Sequence, residues 1–189
     1  MEASSSLTVV VATRNAVATI AESLKAIASC GCDIVVVDAS TDATRDVVAH
    51  EFPQAAIIKE SPGALVPDLW ARGIVDTSST YVLLTTGEFL PPLDWCASAH
   101  QLARQNERAA VGGPIEGPAH GRAADWAVFF TRYSRFLPPV RDGVIDDIAG
   151  DNALYRRQEL DVYWTDRSHG FWEVLYHRRL RTAGGELVM

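Results

Sequence analysis

Four short runs of apolar, mostly β-branched residues alternate with helical segments along the first 106 residues. The runs are LTVVVAT (7–13), DIVVVDAS (33–40), AAIIKE (55–60) and YVLLTT (81–86). Continuous apolar runs of this kind are typical of strands that are buried on both faces of a parallel sheet. The order β-α-β-α-β-α-β-α therefore predicts an α/β protein, in which helices cover both faces of a mostly parallel sheet.

The helical segments carry start and stop signals of their own. Thr19 and Glu22 have the spacing of a capping box, after which apolar residues recur on one helical face. Later helices are predicted to end near Ala49, to span 67–75 and to span 93–106. Gly73 weakens the prediction of the 67–75 helix, because glycine is a poor helix former.

Polar residues follow three of the four apolar runs. The segments are ATRN after the first run, DASTD after the second and TTGE after the fourth. Ligands of open α/β sheets bind at the carboxyl ends of the strands, near a switch in strand order. The pattern therefore predicts a nucleotide or sugar-phosphate site at this edge.

The alternation stops near Ala109, and the second part of the chain is less regular. VGGPIEGPAHG is predicted to be a strand and a loop, and IAGDNALYRR a short strand that leads into a helix. DWAVFFTRYSRFL carries an aromatic stripe at helical spacing, and GFWEVLYHRRLRTAGG is predicted to be a helix that ends at paired glycines. We interpret the whole chain, 1–189, as one domain with a nucleotide-binding half (7–106) and an acceptor-binding half (107–189). RTAGGELVM ends as a strand begins, which is compatible with a truncated C-terminus.

The composition narrows the class of protein. A net charge of −7 argues against a general nucleic-acid binder, so no nucleic-acid partner is expected. The three cysteines include no Cys-x-x-Cys pair, which argues against a disulfide framework or a structural zinc site and favours a reducing cytoplasm. MEASSS does not resemble the start of a signal peptide, and no uncharged apolar run approaches the roughly 20 residues that span a bilayer.

Five segments, taken in order from Leu7 to Leu187, resemble glycosyltransferase family 2. They are VVVATRN, VVVDASTDAT, YVLLTTGEFLPPLDW, GDNALYRRQEL and GFWE. The resemblance implies the GT-A fold, which is a Rossmann-like three-layer sandwich, and a nucleoside-diphosphate sugar as donor. It also implies transfer with inversion to an acceptor hydroxyl, on a lipid-linked or cell-envelope acceptor in many members.

The same resemblance implies roles for individual residues. Thr13, Arg14 and Asn15 would lie beside the nucleotide, and Asp38 would bond the base or the ribose. Thr86, Gly87 and Glu88 stand at the Asp-x-Asp positions, which hold a divalent cation (Mg²⁺ or Mn²⁺) and the diphosphate. Glu173 would be the catalytic base, with Asp151, Asn152 and Trp172 on the acceptor side. The sequence departs from the family pattern at Ala12, Arg14, Trp70, Ala71 and both aspartates of the Asp-x-Asp motif.

Several of these residues have a second interpretation. Glu173 is either the base or a solvated first-turn glutamate that favours the helix dipole. Glu88 is either the one remaining cation ligand or a surface residue of a lost metal site. A third possibility is that arginine replaces the cation, either Arg14 or the His177–Arg181 cluster, which is otherwise interpreted as a solvated helix face.

The remaining alternatives concern the second half. His177 lies four residues after Glu173, so the two could pair around a metal, but a helix-surface histidine is the simpler interpretation. Asp146, Asp147 and Asp151 either bond sugar hydroxyls or solvate a loop. The stripe from Trp126 to Leu137 is either core or, with arginines nearby, part of an acceptor groove or a peripheral membrane contact.

The sequence therefore favours an inverting glycosyltransferase of the cytoplasm. The main alternative is a degenerate, noncatalytic module that binds a nucleotide sugar and has lost its metal site. A nucleotidyltransferase is disfavoured, because ATRNAVAT lacks the glycine-rich basic segment of that class.

Overall fold

The structure, a computed structural model, describes residues 6–107, 109–118 and 121–189. Its strands are β1 (Leu7–Thr13), β2 (Asp33–Asp38), β3 (Ala56–Lys59), β4 (Tyr81–Thr86), β5 (Ala109–Gly112), β6 (Ala153–Arg156) and β7 (Glu186–Val188). Its helices are α1 (Ile20–Ala28), α2 (Thr44–Glu51), α3 (Val66–Val75), α4 (Trp95–Gln105), α5 (Ala123–Tyr133), α6 (Arg157–Tyr163) and α7 (Glu173–Thr182). Short 3-10 turns cover Ser134–Phe136, Gly150–Asn152 and Arg167–His169.

The strands of the described residues form one mixed sheet in the order β3-β2-β1-β4-β6-β5-β7. β1 pairs in parallel with both β2 and β4, β2 with β3, and β5 with β7, whereas β6 is antiparallel to its neighbours β4 and β5. The mostly parallel α/β sheet that the sequence predicts is thus confirmed. β1 and β4 match their predicted bounds, because their apolar runs are continuous.

Alternate residues of the strands pack into two separate hydrophobic cores, one on each face of the sheet. Val10 and Ala12 of β1 pack with α3, α6 and α7, whereas Val9 and Val11 pack with α1, α2 and α4. Burying one large apolar side chain contributes about 1.5–3 kcal/mol, so both faces of the central strands are held strongly. Gly73 is required by this packing, because a Cβ there would overlap Val10 and approach Val37.

The aromatic stripe forms a third, smaller core. Phe129 and Phe136 are buried with Ile115 and Ala149, and Trp126 packs against them. Phe130 is half exposed, at 49%. The core interpretation of the stripe is therefore confirmed for its inner face.

Two sequence predictions on secondary structure need correction, and a third falls partly outside the described residues. Thr19 makes no capping bond; its hydroxyl donates instead to the carbonyl of Gly87, 2.7 Å away. α4 begins at Trp95 rather than Leu93, after a turn in which the N–H of Trp95 donates to the carbonyl of Pro92 at 3.1 Å. Residues 1–5, Arg108, Ala119 and His120 lie outside the described residues, so the predictions made for MEASSS and for part of the 111–121 loop are not covered.

None of the helices in the described ranges is long and apolar enough to cross a bilayer.

Candidate functional site

The carboxyl ends of β1, β2 and β4 lie side by side, as their polar residues predict. In the sheet register Thr13 stands opposite Asp38, and Ala12 stands opposite Thr86. β6 runs antiparallel to β4, with Ala153 opposite Leu84, so the Gly150–Asn152 turn before β6 lies at this edge too. The edge therefore joins segments from both halves of the chain.

Asn15 ties the loop after β1 to the loop after β2. Its backbone N–H donates to the hydroxyl of Ser40 (2.8 Å), and its side-chain oxygen accepts from the N–H of Thr41 (2.9 Å). Asn15 has a φ of +55°, a left-handed conformation that asparagine adopts more readily than most residues. Arg14, next to it, is exposed and forms no ion pair within the described residues, so its guanidinium is free for a ligand.

Asp38 is fully buried and already has a charged partner. One carboxylate oxygen accepts from the Arg45 guanidinium at 2.6 Å, and the other accepts from the N–H of Ser40 at 3.3 Å. The carboxylate thereby orders the loop after β2. Its predicted bond to a base or a ribose stays a prediction, and such a bond has to share the carboxylate with Arg45.

The β4–α4 turn lies directly on the end of β1. Gly87 donates its N–H to the carbonyl of Ala12, and a Cβ at this position would stand 2.6 Å from the Thr13 hydroxyl oxygen. That hydroxyl is buried and has no hydrogen-bond partner among the described residues. Trp70 holds the end of β4 just before this turn, since its indole N–H donates to the carbonyl of Thr85 at 2.9 Å. Trp70, a departure from the family pattern, thus belongs to the core rather than to the open edge.

The residues at this turn can assist a divalent cation but cannot hold one alone. Glu88 is exposed, whereas Thr86 is only half buried and offers a neutral hydroxyl. No group of three or more histidine, cysteine or acidic residues that could hold a metal occurs in the described ranges. Mg²⁺ is commonly bound through one or two carboxylates plus the phosphates of a substrate. Glu88 therefore fits a cation that a diphosphate already binds.

Asp151 is a buried acid in the second half of the chain, within the Gly150–Asn152 turn. Its carboxylate accepts from the Tyr133 hydroxyl at 2.7 Å and from the Arg132 guanidinium at 3.2 Å, and its other oxygen has no partner among the described residues. Desolvation raises the pKa of Asp151, although Tyr133 and Arg132 oppose the shift. Asp151 thus belongs to a bonded cluster and not to a solvated loop. Desolvation and Asp151 raise the pKa of the Tyr133 hydroxyl, and Glu88 of the β4–α4 turn adds a smaller effect.

Glu173 lies at the first position of α7, half buried beside this cluster. A Cβ at Gly150 would stand 2.9 Å from Cγ of Glu173 and 3.1 Å from its Cδ, so the side chain lies across Gly150. Desolvation raises the pKa of the Glu173 carboxyl, and the nearby Asp151 adds to the effect. A solvated surface glutamate would show neither the contact with Gly150 nor the desolvation.

A glycine fixes where α7 begins. Gly170 has a φ of +79°, and a Cβ there would stand 2.9 Å from a carboxylate oxygen of Asp68. Phe171 then donates its N–H to the carbonyl of Pro67 at 2.7 Å, and its ring is buried in the core. The GFWE segment is therefore anchored to α3, which gives Glu173 a defined place.

The other two predicted acceptor residues have structural partners. Asn152 accepts from the indole N–H of Trp95 at 2.7 Å and donates to the carbonyl of Pro114 at 3.1 Å. Trp172 is 46% exposed, and its indole N–H donates to the carbonyl of His169. The exposed face of Trp172 remains open beside Glu173, whereas the amide of Asn152 is largely occupied.

The interpretation of His177 as a helix-surface histidine is wrong. His177 is buried, with one ring nitrogen 3.0 Å from the Tyr155 hydroxyl and the other 3.3 Å from Asp147. Arg135 binds the second oxygen of Asp147 at 2.8 Å. Both ring nitrogens have partners, so His177 is not available to share a metal with Glu173. The partners come from β6 and a distant loop, and the helical spacing carries no signal of them.

Comparisons with known proteins rest on structure alone. No protein-family model matches the sequence, and no curated protein matches it. Among solved structures, the S. aureus TarS 1–349 fragment matches with a TM-score of 0.67 and 14% identity, over 96% of this chain and 57% of that one. The mannosyltransferase PcManGT from Pyrobaculum calidifontis, in complex with GDP-Man and Mn²⁺, matches with a TM-score of 0.64 and 20% identity, over 100% of this chain and 55% of that one.

A third match is glucosyl-3-phosphoglycerate synthase from Mycobacterium tuberculosis in complex with UDP. Its TM-score is 0.56 at 17% identity, over 82% of this chain and 58% of that one. The chain thus spans a little more than half the length of the matched chain in each of these three structures. Identities this low establish the fold alone, and the chain has the GT-A fold of these glycosyltransferases.

Proposed function

We propose that the chain is an inverting glycosyltransferase of the family 2 type. In this proposal a nucleoside-diphosphate sugar binds at the ends of β1, β2 and β4, and an acceptor hydroxyl binds beside α7. The first half (7–106) then serves the donor and the second half (107–189) the acceptor. The GT-A fold and the nucleotide-sugar ligands of PcManGT and of TarS, which is also known in complex with UDP-GlcNAc, support this assignment.

The observation that carries the proposal is the placement of Glu173. A half-buried carboxyl, anchored by GFWE and lying across Gly150, stands beside the same sheet edge at which Thr13, Asp38 and Thr86 meet. A pKa raised by desolvation makes this carboxylate a stronger base than a solvated glutamate. A purely structural glutamate gains nothing from such an environment, because burying the charge is unfavourable.

Each group has a defined task in the transfer. The Glu173 carboxylate takes the proton of the acceptor hydroxyl, whose oxygen attacks the anomeric carbon on the side opposite the diphosphate. The bond between that carbon and the diphosphate oxygen breaks, and the nucleoside diphosphate leaves with the electron pair. In this proposal Arg14 binds the phosphates, for which a guanidinium is suited because it binds phosphate through two hydrogen bonds. A divalent cation, with Glu88 as its protein ligand, would neutralise charge on the diphosphate when bound.

The test is a comparison of two first-turn glutamates. Glu173→Gln is expected to keep donor binding and to lose at least about 100-fold in turnover, the usual scale for the loss of a general base. Glu22→Gln, at the exposed first turn of α1, is the matched control, because it also removes a negative charge from a helix N-terminus. Equal turnover in the two variants would remove Glu173 from the mechanism.

A noncatalytic nucleotide-sugar-binding module is the second candidate. It is favoured by the single free carboxylate at the Asp-x-Asp positions and by the commitment of Asp38 to Arg45. Calorimetric titration of UDP and GDP with and without Mn²⁺ separates the candidates when combined with a turnover assay. Binding that requires Mn²⁺ and is lost in Glu88→Ala supports the enzyme; binding without any transfer or donor hydrolysis supports the module.

A further inference from the structure

An arginine-rich cavity opens along α7, one helical turn beyond Glu173. Its volume is about 530 Å³, and its charged lining consists of Arg135, Asp146, Asp147, His177, Arg178 and Arg181. We call it the α7 cavity. Three guanidinium groups face two carboxylates there, so the lining carries an excess of positive charge in a protein whose net charge is −7.

The three arginines differ in how firmly they are engaged. Arg135 pairs with Asp147 at 2.8 Å, and Arg181 pairs with Asp146 at 3.1 Å. Arg178 is exposed and forms no ion pair within the described residues. The Asp146 side chain is 98% exposed, and ion pairs at such surfaces contribute little to stability. Arg181 also donates to the backbone carbonyl of Asp146 at 2.9 Å. An incoming anion therefore finds Arg178 unoccupied, and it competes with Asp146 for Arg181.

The position of the cavity relative to Glu173 limits what the anion belongs to. Val174, Arg178 and Arg181 line the cavity along one stripe of α7, next to the stripe that carries Glu173 and His177. At 1.5 Å of rise per residue, Arg178 and Arg181 lie about 7.5 and 12 Å along the helix from Glu173. A phosphate at that distance is well placed on an acceptor whose hydroxyl reaches Glu173.

We propose that the α7 cavity binds a phosphate group carried by the acceptor, as a phosphomonoester or a phosphodiester. Arginine suits this role, because its planar guanidinium binds phosphate oxygens in pairs. The assignment to the acceptor rests on the proposed transferase function, whereas phosphate binding in the cavity does not. The simpler explanation is that Arg135 and Arg181 only hold Asp146 and Asp147 against α7. That explanation does not account for Arg178, which lines the same cavity without an ion-pair partner among the described residues.

The experiment titrates inorganic phosphate at constant ionic strength, by calorimetry, without donor or turnover. Arg178→Glu is expected to weaken binding at least 10-fold, and Arg178→Lys less, since lysine keeps the charge without the paired bonds. Arg104→Glu is the control: Arg104 is an exposed arginine on α4, and its replacement changes the net charge equally. Equal affinities in Arg178→Glu and Arg104→Glu, or no phosphate binding by the unaltered protein, overturn the proposal.

A second arm decides whether the phosphate belongs to the acceptor or the donor. UDP and GDP are titrated against the unaltered protein and Arg178→Glu. Unchanged nucleotide affinity supports the acceptor assignment, whereas a 10-fold loss means that the cavity serves the donor diphosphate and overturns it. Neither arm measures transfer. Phosphate binding in the α7 cavity can therefore be judged even if Glu173 proves not to be the catalytic base.

Discussion

Gly150→Ala is expected to disable the proposed base without touching donor binding. The new Cβ would stand 2.9 Å from Cγ of Glu173 and 3.1 Å from its Cβ and Cδ, closer than ordinary van der Waals contact. Alanine suits the backbone here, since Gly150 has no positive φ. The side chain of Glu173 therefore has to move or leave its rotamer, which costs about 0.5–1.5 kcal/mol.

The consequence for rate is larger than the consequence for stability. Overpacking of this kind destabilises a protein by about 1–3 kcal/mol, whereas a catalytic group displaced by about 1 Å loses up to 100-fold in rate. We expect turnover in Gly150→Ala to fall 10- to 100-fold, with nucleotide affinity within about twofold of the unaltered protein. Steady-state kinetics with a transferable donor measures the first, and calorimetry with the nucleoside diphosphate measures the second.

Gly63→Ala is the matched control. A Cβ added at Gly63 would meet no atom within 4 Å, and this glycine has no positive φ, so alanine there is expected to be neutral or slightly stabilising. If Gly150→Ala turns over as fast as Gly63→Ala, the side chain of Glu173 does not act across Gly150, and the geometry argued for the base is wrong.

Three further predictions concern the scaffold of the site. Arg45→Met leaves the buried carboxylate of Asp38 without its cation and is expected to destabilise the fold by about 3 kcal/mol in urea unfolding. The double variant Arg45→Met/Asp38→Asn is expected to recover part of the lost stability. Thr19→Val removes the hydroxyl bond to Gly87 and is expected to cost about 1 kcal/mol, whereas Thr131→Val, whose hydroxyl bonds only its own helix, costs less. The pKa of Asp151 is raised in the folded state, so its contribution to stability is greatest below the unfolded pKa near 3.8 and is lost as pH rises through the folded pKa. The free energy of unfolding of the unaltered protein minus that of Asp151→Asn is therefore expected to fall between pH 4 and pH 7, and a constant difference contradicts the argument.

The sequence predicts the strands of the first half of the chain well, because their signals are local. β1 and β4 are continuous apolar runs that end in polar residues, and β2 differs only in that Ala39 and Ser40 belong to the loop. The parallel order of these strands brings Thr13, Asp38 and Thr86 to one edge, as expected. Strand runs and sheet rules together thus predict the place of the candidate site.

The partners of individual side chains are not local, and the sequence does not reveal them. The spacing of His177 predicts a surface residue on its helix, but Tyr155 of β6 and Asp147 of a distant loop satisfy its ring. The amide of Asn152 is held by Trp95, 57 positions earlier in the chain. Thr19 is predicted to be a helix cap, yet it bonds a turn that the sheet brings to it. In each case a tertiary contact replaces the local interaction that the spacing suggests.

The central claim, that the strand-end edge binds a nucleoside-diphosphate sugar, is tested most directly by thermal unfolding in the presence of UDP-, GDP- and dTDP-sugars, with and without Mn²⁺. A ligand that binds only the folded state stabilises it by about 2.7 kcal/mol at a concentration 100 times its Kd. We predict that at least one of these sugars raises the unfolding temperature in a saturable manner, and that Arg14→Glu reduces the effect. No stabilisation by any of them, in either condition, would contradict the claim.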